Sequence, residues 1–428
     1  MDNLILIINA MIWISVFINC KKRYGLKNTG VIYVAFYALL NIVAIHYYNN
    51  NYEGNRYVGQ NLLFLLYDLL FIFLFCRPLI KVEHSEREFV ITKEKQFTLI
   101  AWCIAIISLF GIYDIVTNFY QGLIMLSQDE DYGASLYHEL RMSMDESKSG
   151  ITNHIAVLTN LTRSISPFLF FVYLSFPRKN FLLVAALFLA SFSTILNAVS
   201  IGSRSAIVDG FMIFGSMIFY MWKYYSSQVK KLVSPIIVSL FAVITVGFVS
   251  ITVSRSLRYN VNSFEFVEKY LAVGPLNFGK YGLDNGEIRY GDRTVPLIKS
   301  AFSSDVARTY SMRIDKYKNM KINESTFATF IADFVFDYGV VAGSFIMLLL
   351  ISFFNKGINS PPYDKLYIHH IALIYLLISI LNGFYLYPLS DYLGNMKFLA
   401  MIGIYLYFKH GTKLQIQRKK NRGTFVNI

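Results

Sequence analysis

Phe181-Leu-Leu-Val-Ala-Ala-Leu-Phe-Leu-Ala190 is an unbroken apolar run that opens a stretch reaching Ser200. A strand of a membrane barrel alternates apolar and polar residues over about ten positions, and this run does not alternate. A helix crossing the hydrocarbon core needs roughly 20 apolar residues, which 181–200 supplies. Similar stretches lie at 4–20, 30–48, 61–80, 97–118, 151–176, 205–222, 232–254, 327–353, 366–386 and 394–408. The chain therefore reads as an all-α, polytopic membrane protein with about eleven transmembrane helices.

Composition agrees. Of 428 residues, 55% are apolar, 17% aromatic and only 16% charged, where a soluble domain carries about 25% charged residues. Met1-Asp2-Asn3 leads straight into the first apolar stretch, so that stretch reads as a retained helix and not a cleaved signal. Cys20, Cys76 and Cys103 have no metal-ligand spacing and read as packing residues.

Lys and Arg of short loops stay on the cytoplasmic side. With the N-terminus outside, the inner segments carry 22 of them, while the short outer segments carry only Arg56, Arg141, Lys148 and Arg204. The expected topology is N-out, C-in. It also accounts for the net charge of +13 as many small basic loops, without a nucleic-acid footprint. One outer segment, 255–326, is too long for the charge rule. It divides the chain into helices one to eight (1–254), a large outer loop (255–326), and three last helices with a basic tail (327–428). Two amphipathic helices are expected in the loop: one from Phe264 to Leu271, and one capped by Ser304-Asp305 that carries Val306, Tyr310, Ile314 and Tyr317 on one face. Gly274 to Gly291 reads as irregular.

Ionisable groups within membrane spans are costly and mark functional sites by default. Here they are Asp68, Asp114, Arg163, Asp209, Asp333 and Asp337, with Lys397 near the outer end of the last helix. All five carboxylates lie within about 15 Å of the outer ends of their spans. Three tripeptides share an Arg between hydroxyls: Thr162-Arg163-Ser164, Ser203-Arg204-Ser205 and Ser254-Arg255-Ser256, with Arg258 one turn further. Guanidiniums flanked by hydroxyls suit a phosphate or pyrophosphate; taken singly, Arg204 and Arg255 read equally well as helix-end anchors, while Arg163 sits too deep to be one. Asp333 and Asp337 share a helix face beneath Asn323-Glu324-Ser325-Thr326. They either divide acid and base roles or pair with Arg163 or Arg204. No P-loop, GxSxG, GxGxxG or zinc spacing occurs, and no pair of broken helices suggests a transporter. No metal or other cofactor is expected.

Gly202-Ser-Arg-Ser205, Arg255, Tyr270-Leu-Ala-Val-Gly-Pro-Leu-Asn277 and the string NESTFATFIADFVFDYG (Asn323 to Gly339) resemble the Wzy-type O-antigen polymerases, which join oligosaccharide repeat units into surface polysaccharide. The resemblance implies a multi-pass bacterial inner-membrane glycosyltransferase with a periplasmic active face. Its substrate would be an undecaprenyl-pyrophosphate-linked oligosaccharide, and its partners membrane lipid and a chain-length regulator protein. It implies Arg163, Arg204, Arg255 and Arg258 as pyrophosphate ligands, with Arg289 and Arg308 as further cations, and Asp333, Asp337 or Glu324 as the base. O-antigen ligases share the architecture but usually carry a His in the large loop, and 255–326 has none. A lipid-linked glycan transporter (flippase) is the competing reading from outside the enzyme class.

Overall fold

A computed structural model describes residues 1–50, 54–84, 87–113, 115–117, 120, 151–200, 203–258, 263–322 and 327–423. The described chain is built from α1 (Asp2–Tyr24), α2 (Thr29–Asn50), α3 (Leu62–His84), α4 (Glu94–Leu109), α5 (Ile151–Tyr173), α6 (Phe181–Ser200) and α7 (Arg204–Met221). Then follow α8 (Ser227–Arg258), α9 (Ser263–Tyr281), the short α10 (Pro296–Lys299) and α11 (Tyr310–Lys316), α12 (Phe330–Ile358), α13 (Ile368–Leu381) and α14 (Asp391–Gly423). Two three-residue strands, β1 (Glu88–Val90) and β2 (Lys365–Tyr367), pair in parallel with Glu88 opposite Lys365.

Seven helices among the described residues are long and apolar enough to cross a membrane: Asp2–Tyr24, Thr29–Asn50, Leu62–His84, Ile155–Tyr173, Phe181–Val199, Ser205–Tyr224 and Phe330–Ile358. The other four expected spans fall on α4, α8, α13 and α14. The helices satisfy their own backbones, as lipid demands, and many turn apolar side chains outward: Leu4, Leu63, Leu99, Leu182 and Val341 are all exposed. α13 is the opposite case. Every residue from Ile368 to Leu381 is buried, which places it inside the bundle. At 14 residues it covers about 21 Å, and the chain continues through the irregular stretch 382–390 before α14.

α12 is not one straight rod. Gly339 has φ 76° and ψ 170°, a region essentially closed to other residues. Beyond it, a Cβ on Gly343 would lie 2.8 Å from the Phe334 carbonyl oxygen. Nine residues of straight helix would separate those positions by about 13 Å, so the chain folds back sharply. Residues 330–338 form a short helix of their own. Residues 340–358 make the crossing piece, about 28 Å long.

The long loop differs from its sequence reading. α9 runs through Gly274, Pro275 and Gly279 as helix, not as irregular chain, and buries Tyr270 and Ala272 to Gly279 against α2 and α3. A Cβ at Gly274 would sit 2.3 Å from the Phe384 carbonyl oxygen, so only glycine lets α9 approach the 382–390 stretch. The second expected helix is confined to α11. Its cap is Thr309, whose hydroxyl accepts from Met312 N at 3.3 Å, and not Ser304-Asp305.

Candidate functional site

Residues 330–338 carry Asp333 and Asp337 on one face, as their spacing requires. Their partners come from the turn at 289–294. Arg289 places Nη2 2.9 Å from Asp333 Oδ1 and Nε 2.6 Å from Asp337 Oδ1. Arg293 Nε lies 3.1 Å from Asp333 Oδ1. Backbone groups complete the carboxylates. Tyr387 N donates to Asp333 Oδ2 at 2.7 Å, and Thr294 donates to Asp337 Oδ2 from both N (2.7 Å) and Oγ1 (2.6 Å). Arg289 is 1% exposed and Asp337 0%, so two guanidiniums and two carboxylates are taken from water together. That is tolerable only when each charge is paired and hydrogen-bonded.

Three irregular pieces make this arrangement. The break at Gly339 ends the short helix, and the Phe336 carbonyl accepts from Arg289 N at 2.9 Å. The 382–390 stretch receives the other end of that helix, with Phe330 N donating to Gly383 O (2.7 Å) and Ala328 N to Tyr385 O (3.2 Å). Asn395 of α14 holds the turn, its Nδ2 donating to Thr294 O at 2.8 Å. At the junction a small cavity of about 10 Å³ is lined by Arg289, Arg293, Asp333, Phe336 and Tyr385, among others; it has room for about one water. The Tyr385 hydroxyl donates to Ser205 O at 3.0 Å. The Ser203-Arg204-Ser205 turn at the start of α7 therefore adjoins the cavity wall.

Behind the turn stands Asp292, 0% exposed. Lys299 is its ion-pair partner, Lys316 Nζ lies at 3.1 Å, the Tyr317 hydroxyl at 2.5 Å, and Ala307 N donates at 3.2 Å. Burial pushes this carboxyl up, but the hydrogen bonds from Lys299, Tyr317, Lys316 and Ala307 outweigh it and hold the group below the usual aspartate value. A single buried anion thus ties α10, α11 and the site turn together.

The sequence candidates separate. Asp333 and Asp337 come together, but with Arg289 and Arg293, not with Arg163 or Arg204. Every oxygen of the two carboxylates has an ion-pair or hydrogen-bond partner, and Asp337 has no exposure, which makes Asp337 a structural acceptor and a poor base. Arg163 is engaged elsewhere: its Nε and Nη2 donate to Ser108 O (2.9 Å) and Phe110 O (2.5 Å), the carbonyls at the end of α4. Asp68 accepts from Thr329 Oγ1 at 2.5 Å, tying α3 to the start of α12. Asp209 lies within electrostatic reach of Tyr385 and Lys397. Arg204 opens α7, while Arg255 and Arg258 lie in the last turn of α8; their side chains lie outside the described residues, as do Asp114 and Glu324. Arg293, Thr294, Tyr385 and Tyr387 were missed by sequence. One signal was available: Arg289 and Arg293 repeat the four-residue spacing of Asp333 and Asp337. Among the described residues no group of three or more His, Cys, Asp or Glu is arranged to hold a metal. No family model, curated protein or solved structure matches the chain.

Proposed function

We propose that this chain is a polysaccharide polymerase of the Wzy type, crossing the bacterial inner membrane about eleven times, N-out and C-in, with residues 255–326 and the site on the periplasmic face. The observation that carries this reading is the convergence of Arg289, Arg293, Asp333 and Tyr385 on one cavity beside the Ser203-Arg204-Ser205 turn. The reaction joins two lipid-borne sugars. An acceptor hydroxyl oxygen bonds to the donor's anomeric carbon, the bond from that carbon to pyrophosphate breaks, and the hydroxyl proton passes to a base. Pyrophosphate leaves with the electron pair, so the protein's work is to orient the sugars and stabilise the departing negative charge.

Arg204, Arg255 and Arg258 are the pyrophosphate ligands in this scheme, and the buried Arg289 and Arg293 beside the cavity brace the wall that adjoins Arg204. Arg163 acts on the same face by fixing the end of α4. Asp333 holds the two cavity arginines in place, and Glu324 and Asp333 are the remaining candidates for the base. No cofactor enters the reaction. Deleting the gene should leave lipopolysaccharide capped with one repeat unit and no ladder of longer chains on a silver-stained gel; a normal ladder overturns the reading. Polymer accumulating on undecaprenyl pyrophosphate would indicate a ligase instead, and repeat units held in the inner leaflet a flippase. Arg204→Ala, expressed at the normal level, should lower polymerisation about 10²- to 10³-fold, the size of effect of one lost charge-stabilising donor.

A further inference from the structure

A second concavity shares Phe336 with the arginine cavity. It holds about 460 Å³ and runs between residues 283–290 and the break in α12, with Asp284, Glu287, Tyr290, Phe336 and Gly339 in its walls. That volume is within the roughly 300–1,000 Å³ of small-molecule sites. The loop is held in advance of any ligand. Asn285 Oδ1 accepts from Ile322 N at 2.7 Å, Lys321 N donates to Asn285 O at 2.9 Å, and Asn319 N donates to Glu287 Oε2 at 3.3 Å. Tyr290 is 70% exposed and sits at φ 52°, an unfavourable conformation for a bulky residue. The backbone thus holds a large ring out at the groove mouth at some cost in stability.

We propose that this groove is a saccharide-binding site, with Tyr290 stacking on the C–H face of a pyranose ring and the Asp284 and Glu287 carboxylates accepting its hydroxyls. Sugars present an apolar face and a polar rim, and the groove offers a ring and two acceptors in matching places. Lys321 pairs with Asp284 and holds its carboxylate in place, while the Glu287 charge disfavours a phosphate or an anionic headgroup. Phe336 is the common wall of groove and cavity, so a sugar seated here lies next to Arg289, Arg293 and Asp333. That the sugar is a repeat unit of the cell's own surface polysaccharide rests on the polymerase reading; the saccharide class rests on the groove.

The test uses the full chain in lipid nanodiscs, with repeat-unit oligosaccharide cut from the host's surface polysaccharide as probe and saturation-transfer NMR as readout. The wild-type chain should transfer saturation to the sugar ring protons. Tyr290→Gly removes the ring and relaxes the left-handed residue, so its unfolding temperature should equal or exceed that of the wild-type chain while the signal falls at least tenfold. Glu287→Gln should weaken binding severalfold, and Tyr290→Trp should retain it. Absence of transfer in the wild-type chain, or full transfer in Tyr290→Gly, overturns the proposal. So does Tyr290→Leu binding as well as Tyr290→Trp, which would make the residue an interfacial anchor. A gene deletion that leaves the polysaccharide ladder intact while the purified chain still binds sugar overturns the polymerase reading and leaves the groove standing.

Discussion

Arg289 is the residue on which the site turns. Its guanidinium pairs with both Asp333 and Asp337, and removing one member of a buried ion pair leaves the opposite charge without that partner and without solvent. Arg289→Ala should therefore destabilise the chain by roughly 3–5 kcal/mol, read as a lowered unfolding temperature in detergent. Arg289→Met with Asp337→Asn should recover most of that loss, since the stranded charge goes too. Asp292 gives a pH prediction. Its folded-state value is depressed, so its contribution is complete above the unfolded value of about 3.9 and is lost as pH falls through the lower folded value. Proteolysis within 296–316 should accelerate on acidification in the wild-type chain, and Asp292→Asn should show fast cleavage already at neutral pH. Sequence exposed the carboxylates of this site and hid most of their partners. Asp333 and Asp337 stand out because charge is rare in an apolar stretch, whereas Arg289 and Arg293 lie in a turn within a loop holding 12 Lys or Arg, where a four-residue spacing recurs too easily to mark a pair.

At the scale of elements, hydropathy located the seven long apolar helices found among the described residues and could not see where one ends inside an apolar run. The 327–353 stretch is apolar on both sides of Gly339, so the break leaves no dip in a hydropathy window; the backbone dihedral records it. The first expected loop helix shows the reverse error. α9 is longer than its amphipathic core because its glycines serve close packing and do not end the helix. Gly339→Ala places a Cβ in a conformation open only to glycine, at about 1–3 kcal/mol. Straightening α12 to escape that strain would carry Asp337 away from Thr294. Both routes lower the unfolding temperature, and the second should also abolish the Arg289 pairings, seen as loss of any Arg289→Cys to Asp337→Cys cross-link in the Gly339→Ala background.

For the whole molecule, the charge asymmetry predicts sidedness that a label can read. In a background with Cys20, Cys76 and Cys103 replaced, a cysteine at Tyr290 should react with a membrane-impermeant maleimide in intact cells, and one at Lys231 only after lysis; the opposite pattern would invert the topology. The β1–β2 pair adds a constraint of another kind. Glu88 and Lys365 are about 280 residues apart and hydrogen-bonded neighbours in one ladder. At roughly 5–20 residues per second of synthesis, β1 leaves the ribosome some 15–55 seconds before its partner exists. Helices α1 to α4 must meanwhile sit in the bilayer with that seam open. The packing of α3 against α13 is therefore a late event, and a chain stalled before residue 365 should be cleaved by protease faster than the full-length chain.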